Sequence, residues 1–195
     1  MAWVGYPEND ELKSIRPVAQ CGYEHGFLDS IRISWDDNEW GRGPTGTAIR
    51  TGTTVVNSDT LRNPKLNPWR QAATERNYHS SISLPLATKT QVIGALNIYS
   101  SETDAFTTEE VSLLEELAND LAFGIETLRT RTLHNAAEKK LEFLAHYDPL
   151  TSLPNRTLLR DRFEQAAALA DREQSGVAMF FLDLDNFTHI NDSLG

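Results

Sequence analysis

The sequence predicts an α/β protein of the α+β type, with an antiparallel sheet, flanking helices and a long connecting helix. Two observations lead to this fold class. Short apolar runs bounded by turn formers fill residues 1–100, and neighbouring runs are close enough to pair as hairpins. From Phe106 onward, apolar residues instead recur at spacings of three and four, which is the period of an amphipathic helix.

The composition is that of a globular protein and excludes several classes. The chain has 195 residues, enough for about one to two domains, and 39% of them are hydrophobic. Its 28 acidic and 18 basic side chains give a net charge of −10, which disfavours nucleic acid as a partner. No apolar run reaches the ~18 residues of a membrane span, and the N-terminus lacks a signal-peptide pattern. We therefore expect a cytoplasmic protein with no nucleic-acid partner and no membrane segment.

The elements of the first region are predicted from β-branched and aromatic runs, from turn formers and from glycine. In order, they are a strand at 2–6, a turn at 7–10, a strand at 15–21, a short helix at 27–31, one or two helical turns at 47–50, a strand at 53–56, a turn-rich segment at 57–78, and a hairpin of strands at 81–86 and 91–99. Strands in adjacent pairs indicate a sheet with mainly local contacts.

A glycine motif precedes the predicted helix at 47–50. Gly41, Gly43 and Gly46 have the spacing of a dinucleotide-binding fingerprint, which needs a preceding strand and a full helix to present amides to a pyrophosphate. The residues before Gly41 show no strand pattern, and the helix that follows is short. We therefore interpret the motif as a structural turn.

A single long helix is predicted at 108–146. Thr107 and Glu110 form a capping box at its start, and no proline interrupts it before Pro149. Its apolar stripe consists of Leu114, Leu117, Leu121, Ile125 and Leu128. A helix of ~39 residues far exceeds the usual ~11–12, which favours a rod that connects two domains. We expect its first half to pack on the sheet and against a second copy of the chain, and its second half to be looser because it has fewer apolar residues.

The last part of the chain begins another α/β region. Asn155 is placed to cap a helix at 156–170, and 177–184 is an apolar run typical of a strand buried on both faces. Asp183 and Asp185 stand at the carboxyl end of that run, where α/β folds bind hard cations through oxygen ligands. The alternative is that both aspartates only cap the following helix.

Five segments of the first region occur in a characteristic order. They are Gly41-Arg42-Gly43-Pro44-Thr45-Gly46 with Ala48-Ile49, then Thr54-Val55-Val56-Asn57-Ser58-Asp59, the strand at 78–86, then Val92-Ile93-Gly94-Ala95-Leu96-Asn97-Ile98-Tyr99, and Phe106-Thr107 with the leucine helix. Together they resemble a GAF domain over residues 1–128, without the helix that usually opens the family. The family implies a sensory pocket for a small molecule whose identity the sequence leaves open.

Other candidate residues of this region have simpler interpretations. Cys21, the single cysteine, excludes a disulfide framework, and we expect it to be a small buried strand residue. His25 and His79 lack metal-ligand spacing. Three tryptophans could line a cavity but more often belong to the core or its rim, and they are Trp35, Trp40 and Trp69.

Two separated motifs lie in the last part of the sequence. They are Asp148-Pro149-Leu150-Thr151-Ser152-Leu153-Pro154-Asn155-Arg156, and Phe181-Leu182-Asp183-Leu184-Asp185-Asn186-Phe187 with Ile190-Asn191-Asp192-Ser193-Leu194-Gly195. At this interval they resemble the N-terminal part of a GGDEF domain, over residues 147–195. GGDEF domains are diguanylate cyclases, so the resemblance implies the synthesis of cyclic di-GMP from two GTP molecules.

The same resemblance implies roles for individual residues. Asp183 corresponds to a Mg²⁺-binding carboxylate, with the backbone carbonyl of Leu184 as a second ligand. The implied GTP-binding residues are Asn186, Phe187 and Thr188 at the phosphates and Asn191 at the guanine edge. A threonine at 188 replaces the family's frequent lysine and weakens the expected phosphate contact. The family's second metal carboxylate belongs to its signature hairpin, beyond residue 195, so no catalytic set is complete and this chain alone is expected to be inactive.

The resulting hypothesis is a GAF sensor at 1–128, a linker helix at 108–146 and a truncated GGDEF domain at 147–195, acting as a homodimer through the long helix. Two alternatives stay open. His146-Tyr147-Asp148-Pro149-Leu150-Thr151 and Asn191-Asp192-Ser193-Leu194-Gly195 are also typical of proteins in which an EAL phosphodiesterase domain follows, and such a protein would hydrolyse cyclic di-GMP. The other alternative is a pure sensor and dimerisation module.

Overall fold

The computed structural model describes residues 1–23, 26–183, 185 and 192. It divides the chain into two compact units, Met1–Arg131 and Thr132–Gly195. The strands of the first unit are β1 (Ala2–Pro7), β2 (Ile15–Cys21), β3 (Val55–Asn57), β4 (Ser80–Ala87) and β5 (Val92–Ser100). They form one antiparallel sheet in the order β2-β1-β5-β4-β3. The predicted fold class is confirmed.

Helices flank this sheet and connect it to the second unit. They are α1 (Phe27–Ser30), α2 (Pro44–Thr51), α3 (Arg70–Glu75), α4 (Thr108–His146) and α5 (Arg156–Glu173), with a 3₁₀ turn at Pro64–Leu66. Helix α4 has the predicted bounds, and its capping box forms: the amide of Thr107 donates to the Glu110 carboxylate at 2.8 Å. No helix in the described part of the chain has the length and apolar character that crossing a bilayer requires.

Strand β4 has two chemically different faces because successive side chains alternate across a sheet. Its fully buried apolar side chains, on the face covered by α4, are Ile82, Leu84 and Leu86. Ser81 and Ser83 lie on the other face, opposite Tyr99 and Asn97 of β5. The second face is therefore lined with polar groups, although it is also buried.

Helix α4 packs on the sheet through its small residues. Ala118 and Ala122 are buried there. Partly buried apolar residues around them include Val111, Leu114, Leu121 and Ile125. Two leucines of the predicted stripe do not pack on the sheet, since Leu117 is 53% exposed and Leu128 is 65% exposed. At about 100° per residue, these two leucines lie beside the face that meets the sheet.

The glycine motif before α2 is a structural turn, as predicted. A Cβ atom at Gly41 would overlap the backbone carbonyl oxygen of Asp36. A Cβ atom at Gly46 would overlap the carbonyl oxygen of Ser34. These glycines allow close approach of two backbone segments, and α2, with eight residues, is too short for a dinucleotide-binding βαβ unit.

Asn155 joins the two helices of the second unit. Its side-chain oxygen accepts the amides of Thr157 and Leu158, each at 3.0 Å, which confirms the predicted cap of α5. Its side-chain nitrogen donates to the carbonyl oxygen of Ala145 at 2.9 Å, at the end of α4. One residue thus satisfies orphan groups of both helix ends.

Two predictions on local structure are wrong. Residues 177–183 form no strand, and the side chain of Leu182 is 99% exposed. A strand buried on both faces needs paired neighbours, and the second unit contains no neighbouring strand among its described residues. Cys21 is exposed because β2 is an edge strand in which only Ile15 is buried.

Candidate functional sites

A cavity lies on the serine-bearing face of the sheet, opposite the face that α4 covers. About 450 Å³ of space that no atom fills lies within its lining, with open solvent included in that volume. Its apolar lining consists of Phe27, Ile31, Ile33, Pro44, Leu66, Trp69 and Ala73, with Gly43 between them. Its hydroxyl-bearing lining consists of Thr45, Thr60, Ser81 and Tyr99.

Three aromatic rings form a mutual contact at one end of the cavity. The ring centroid of Phe27 lies 5.4 Å from that of Tyr99 and 5.2 Å from that of Tyr78, both in edge-to-face geometry. The rings of Tyr78 and Tyr99 are 5.0 Å apart. Such edge-to-face pairs add ~0.5–1.5 kcal/mol each beyond their buried area. They hold the ring of Tyr99 in place.

Trp69 forms another wall of the cavity. Its indole nitrogen donates to the carbonyl oxygen of Arg32 at 2.7 Å, which fixes the ring plane. A Cβ atom at Gly43 would lie 2.6 Å from this ring, so only glycine allows the backbone to approach it. Trp40 contacts Trp69 edge-to-face at 6.4 Å.

A buried hydrogen-bond network supports the hydroxyl-bearing side of the cavity. The side-chain oxygen of Asn97 accepts the hydroxyl of Thr45 at 2.8 Å and that of Ser83 at 2.7 Å. The side-chain nitrogen of Asn57 donates to the hydroxyl oxygen of Thr60 at 3.1 Å. Buried polar groups that are satisfied in this way order their surroundings and hold neighbouring groups in place.

Burial raises the pKa of Tyr99 to about 12. That value is the net result of three causes: burial is the largest, the indole N–H of Trp3 acts on the Tyr99 oxygen and lowers the pKa in part, and the neighbouring Tyr78 raises it. The Trp3 N–H reaches no acceptor in standard hydrogen-bond geometry among the described residues, so this contact is a weak one. The Tyr99 hydroxyl consequently stays protonated over the physiological pH range and can act as a donor.

The candidate residues proposed from the sequence are distributed unevenly around this cavity. Of the three tryptophans, Trp69 lines it, and the indole nitrogen of Trp35 instead donates to the carbonyl oxygen of Glu8 at 2.8 Å. The ring of His79 contacts the side chain of Asn77, and His25 lies outside the described residues. Sequence reasoning missed the hydroxyl-bearing residues. The alternation of serines with apolar residues in β4 was the signal that could have found them.

The second candidate site lies in the second unit, and the structure describes one of its implied residues. Asp183 is exposed. The other residues implied by the family resemblance, Leu184, Asn186, Phe187, Thr188 and Asn191, lie outside the described residues. No group of three or more His, Cys, Asp or Glu side chains with metal-binding geometry occurs in the described part. One protein carboxylate is compatible with Mg²⁺, which is commonly held by one or two carboxylates together with substrate phosphates.

Asp148 organises the loop that precedes α5. Its carboxylate accepts the amide of Thr151 at 2.9 Å and the hydroxyl of the same residue at 2.8 Å. The amide of Leu150 donates to it at 3.2 Å. These hydrogen bonds, led by the one from the Thr151 amide, lower the pKa of Asp148. The residues of the first sequence motif in this region therefore build a turn rather than a reactive centre.

Comparison with known proteins assigns families to both units. The GAF domain family model matches residues 1–126, and the model described as diguanylate cyclase, GGDEF domain, matches residues 145–195. The first unit also resembles the GAF domain/HD domain protein of Geobacter sulfurreducens, with a TM-score of 0.52 and 18% identity over 66% of this chain and 81% of that one. At that identity, the likeness concerns the fold alone.

Two curated relatives from Pseudomonas aeruginosa share part of the sequence. The bifunctional diguanylate cyclase/cyclic di-GMP phosphodiesterase MucR is 49% identical over 59 residues, which are 30% of this chain and 9% of MucR. The diguanylate cyclase TpbB is 38% identical over 86 residues, which are 44% of this chain and 19% of TpbB. The chain thus spans less than a fifth of either relative. It belongs to the GAF domain family, and its GAF domain is followed from residue 145 by the N-terminal part of a GGDEF domain.

Proposed function

We propose that this chain is the sensory and connecting part of a protein that controls the synthesis of cyclic di-GMP from two GTP molecules. The observation that carries the proposal is the order of its parts. A GAF match at 1–126 and a GGDEF match at 145–195 are joined by one uninterrupted helix, α4, at 108–146. A ligand that changes the packing of the sheet would therefore act on an element that leads directly to the GGDEF part. Since GTP is the substrate, we place the protein in the cytoplasm.

The family resemblance supports roles for the residues at the end of the chain. Asp183 and the carbonyl of Leu184 would hold Mg²⁺, which when bound neutralises phosphate charge and helps to activate the attacking 3′-hydroxyl. The backbone at Asn186, Phe187 and Thr188 would bind the GTP phosphates. Asn191 would select guanine through hydrogen bonds. No Gly-Gly-Asp-Glu-Phe segment occurs in residues 1–195, so we expect this chain by itself to produce no cyclic di-GMP.

A substitution at Asp183 tests the metal assignment. In a protein that carries this chain with a complete GGDEF domain, Asp183→Asn should lower turnover by roughly a thousandfold, because phosphoryl transfer loses several kcal/mol of charge stabilisation. The measurement is cyclic di-GMP formation from GTP and Mg²⁺. Asp171→Asn, the same charge change on the exposed side of α5, should leave turnover unchanged. Near-normal turnover of Asp183→Asn would instead identify Asp183 as a helix cap.

A second candidate function is the hydrolysis of cyclic di-GMP by a protein in which the GGDEF part is regulatory. Its support is the relative MucR, whose name includes both activities and which matches this chain at 49% identity over 59 residues. The same assay separates the two functions. Loss of added cyclic di-GMP that persists in Asp183→Asn favours the phosphodiesterase, and formation that Asp183→Asn abolishes favours the cyclase.

The proposed route from sensor to output requires a homodimer. Leu113, Leu117 and Leu128 are exposed on one stripe of α4, beside the face that packs on the sheet. A second copy that buries this stripe would bring two GGDEF domains together, each with one GTP. The bound molecule in the sensor would shift the balance between two packings of the paired helices.

A further inference from the structure

Three residues that line the cavity have hydroxyl protons for which the described residues offer no hydrogen-bond acceptor. They are Thr60, Ser81 and Tyr99. The fourth hydroxyl, that of Thr45, already donates to Asn97 at 2.8 Å. Because a hydroxyl proton that faces a cavity can donate to a bound molecule, this wall is suited to a molecule that brings hydrogen-bond acceptors.

Two of these donors are held side by side. Ser81 of β4 is paired in register with Tyr99 of β5, and directly opposite side chains of antiparallel strands are ~4.5–5.5 Å apart at their Cβ atoms. Both side chains lie on the cavity face of the sheet. Ser81 and Tyr99 therefore belong to the same wall of the cavity.

The rest of the cavity is apolar and uncharged. Phe27 and Trp69 present aromatic surface, and Ala73 leaves space between them. Among the described lining residues, Tyr99 is the single ionisable one, and no Lys, Arg, His, Asp or Glu side chain lines the cavity. An ion placed here would lose its hydration without gaining a counter-charge, which is strongly unfavourable.

We propose that this pocket binds an uncharged, single-ring aromatic molecule that carries a carbonyl oxygen or a similar strong acceptor. The ring lies against Phe27 and Trp69, and the acceptor receives the proton of Ser81. The proposal deepens the sensory role of the first unit stated above and rests on that role.

One feature of the pocket would favour a different ligand. The N-terminus of α2, at Gly43 and Pro44, borders the cavity, and the partial positive charge of a helix N-terminus favours anions. An aromatic carboxylate is therefore the competing occupant. Since α2 has only eight residues and no basic residue is among the described residues that line the cavity, we favour the uncharged ligand.

Four matched probes test the proposal on the 195-residue chain. They are benzamide, benzoate, benzylamine and cyclohexanecarboxamide, which differ in charge or in aromaticity at nearly constant size. Binding is read from tryptophan fluorescence, because Trp69 is a wall of the pocket, and from the rise in Tm. Benzamide should bind with the lowest Kd. Benzoate and benzylamine should bind at least about tenfold more weakly, because each would bury an unpaired charge.

Two serines of β4 provide a matched pair of variants. Ser81→Ala removes a donor to the ligand and should raise the Kd of benzamide about threefold to tenfold, as expected for one neutral hydrogen bond. Ser83→Ala is equally buried but loses a bond to Asn97 at 2.7 Å, so it should lower Tm and leave the Kd unchanged. Ala73→Leu should abolish benzamide binding by filling the space, with the fold retained.

Several results would overturn the proposal. If benzoate binds with the lowest Kd, the pocket is an anion site. If cyclohexanecarboxamide and benzamide bind with the same Kd, the ligand does not need an aromatic ring. Absence of benzamide binding up to about 10 mM in a folded chain would reject the ligand class. If Ser81→Ala and Ser83→Ala change the Kd of benzamide equally, the proposed hydrogen bond from Ser81 to the ligand is rejected. Binding is measured without any catalytic readout, so a failure of cyclic di-GMP turnover would reject the proposed function and leave the ligand class standing.

Discussion

Two glycines inside helices differ in what surrounds their Cα atoms. At Gly46 in α2, a Cβ atom would overlap the backbone carbonyl oxygens of Ser34 and Gly41, whereas at Gly124 in α4 nothing lies within 4 Å. Gly46→Ala should therefore lower the free energy of unfolding by ~1–3 kcal/mol or more. Gly124→Ala should raise it by up to ~1 kcal/mol through helix propensity. Urea denaturation of both variants checks this, and equal stabilities would contradict the close backbone approach.

The carboxylate of Asp148 gives the second unit a pH dependence. Hydrogen bonds from Thr151 lower the pKa of Asp148 in the folded state, so the ionised form stabilises the turn above the unfolded pKa of ~3.9. That stabilisation is lost as pH falls through the lowered folded pKa. The stability difference between the wild type and Asp148→Asn should be constant at neutral pH and shrink in acid below pH ~4.

Thermal unfolding of the two proteins across pH measures this difference. Asp171→Asn is the control, because Asp171 is exposed on α5 and its carboxylate makes no contact with the turn among the described residues. A difference between wild type and Asp148→Asn that stays constant down to pH ~2 would show that the charge of Asp148 does not contribute.

At the scale of elements, helix α4 has an exposed apolar stripe that the sheet does not cover. Leu117→Glu places a charge on its exposed leucine stripe and should raise the dimer dissociation constant at least about tenfold, because a buried leucine contributes ~1.5–3 kcal/mol. Sedimentation velocity of the chain at micromolar concentration measures this.

The control for Leu117→Glu is Leu61→Glu, since Leu61 is similarly exposed, at 50%, but lies outside α4. Leu121 is unsuitable because it is partly buried against the sheet, so a charge there would destabilise the fold itself. A monomeric wild type would contradict the proposed homodimer, and it would also contradict the proposed route from the sensor to the GGDEF domain.

The elements that sequence predicts well are those with local causes. The start of α4 depends on Thr107 and Glu110, three residues apart, and the strands of the β4–β5 hairpin show their alternation directly. The elements predicted wrongly depend on distant neighbours. Cys21 is exposed because of the position of β2 in the sheet, and 177–183 lacks the partners that a buried strand requires. Helix α3 was missed because six mostly polar residues carry little periodicity.

The cavity was only partly predictable for the same reason. The family resemblance implies a pocket, but the pairing of Ser81 with Tyr99 depends on the register of β4 and β5, which the residue pattern leaves undetermined. Trp69 lies within the segment at 57–78 that the sequence predicts to be rich in turns, and its role depends on the contact with Gly43. Residue types favoured core or rim positions for the tryptophans over a cavity wall, and the pairing of β4 with β5 brings the hydroxyl-bearing residues to the cavity.

At the scale of the whole chain, α4 changes its environment along its length. Apolar residues between 111 and 125 contact the core of the first unit. From Thr127 to His146, every residue of the helix is exposed. An unsupported helical segment of this length is marginal in water, because most helical stability in proteins comes from packing. The two halves of one continuous helix should therefore have different local stabilities.

Hydrogen exchange measures this difference directly. Amides at 111–125 should exchange at least about tenfold more slowly than amides at 132–141, because opening the first segment exposes core residues such as Ala118 and Ala122. Ala122→Gly weakens the first segment and should raise its exchange selectively, whereas Ala136→Gly, at an exposed site, should affect only the second. Equal protection along 111–141 would mean that another surface covers the second half. In that case the second half of α4 would not be the segment that changes conformation between the sensor and the GGDEF domain, and that segment would have to lie outside α4.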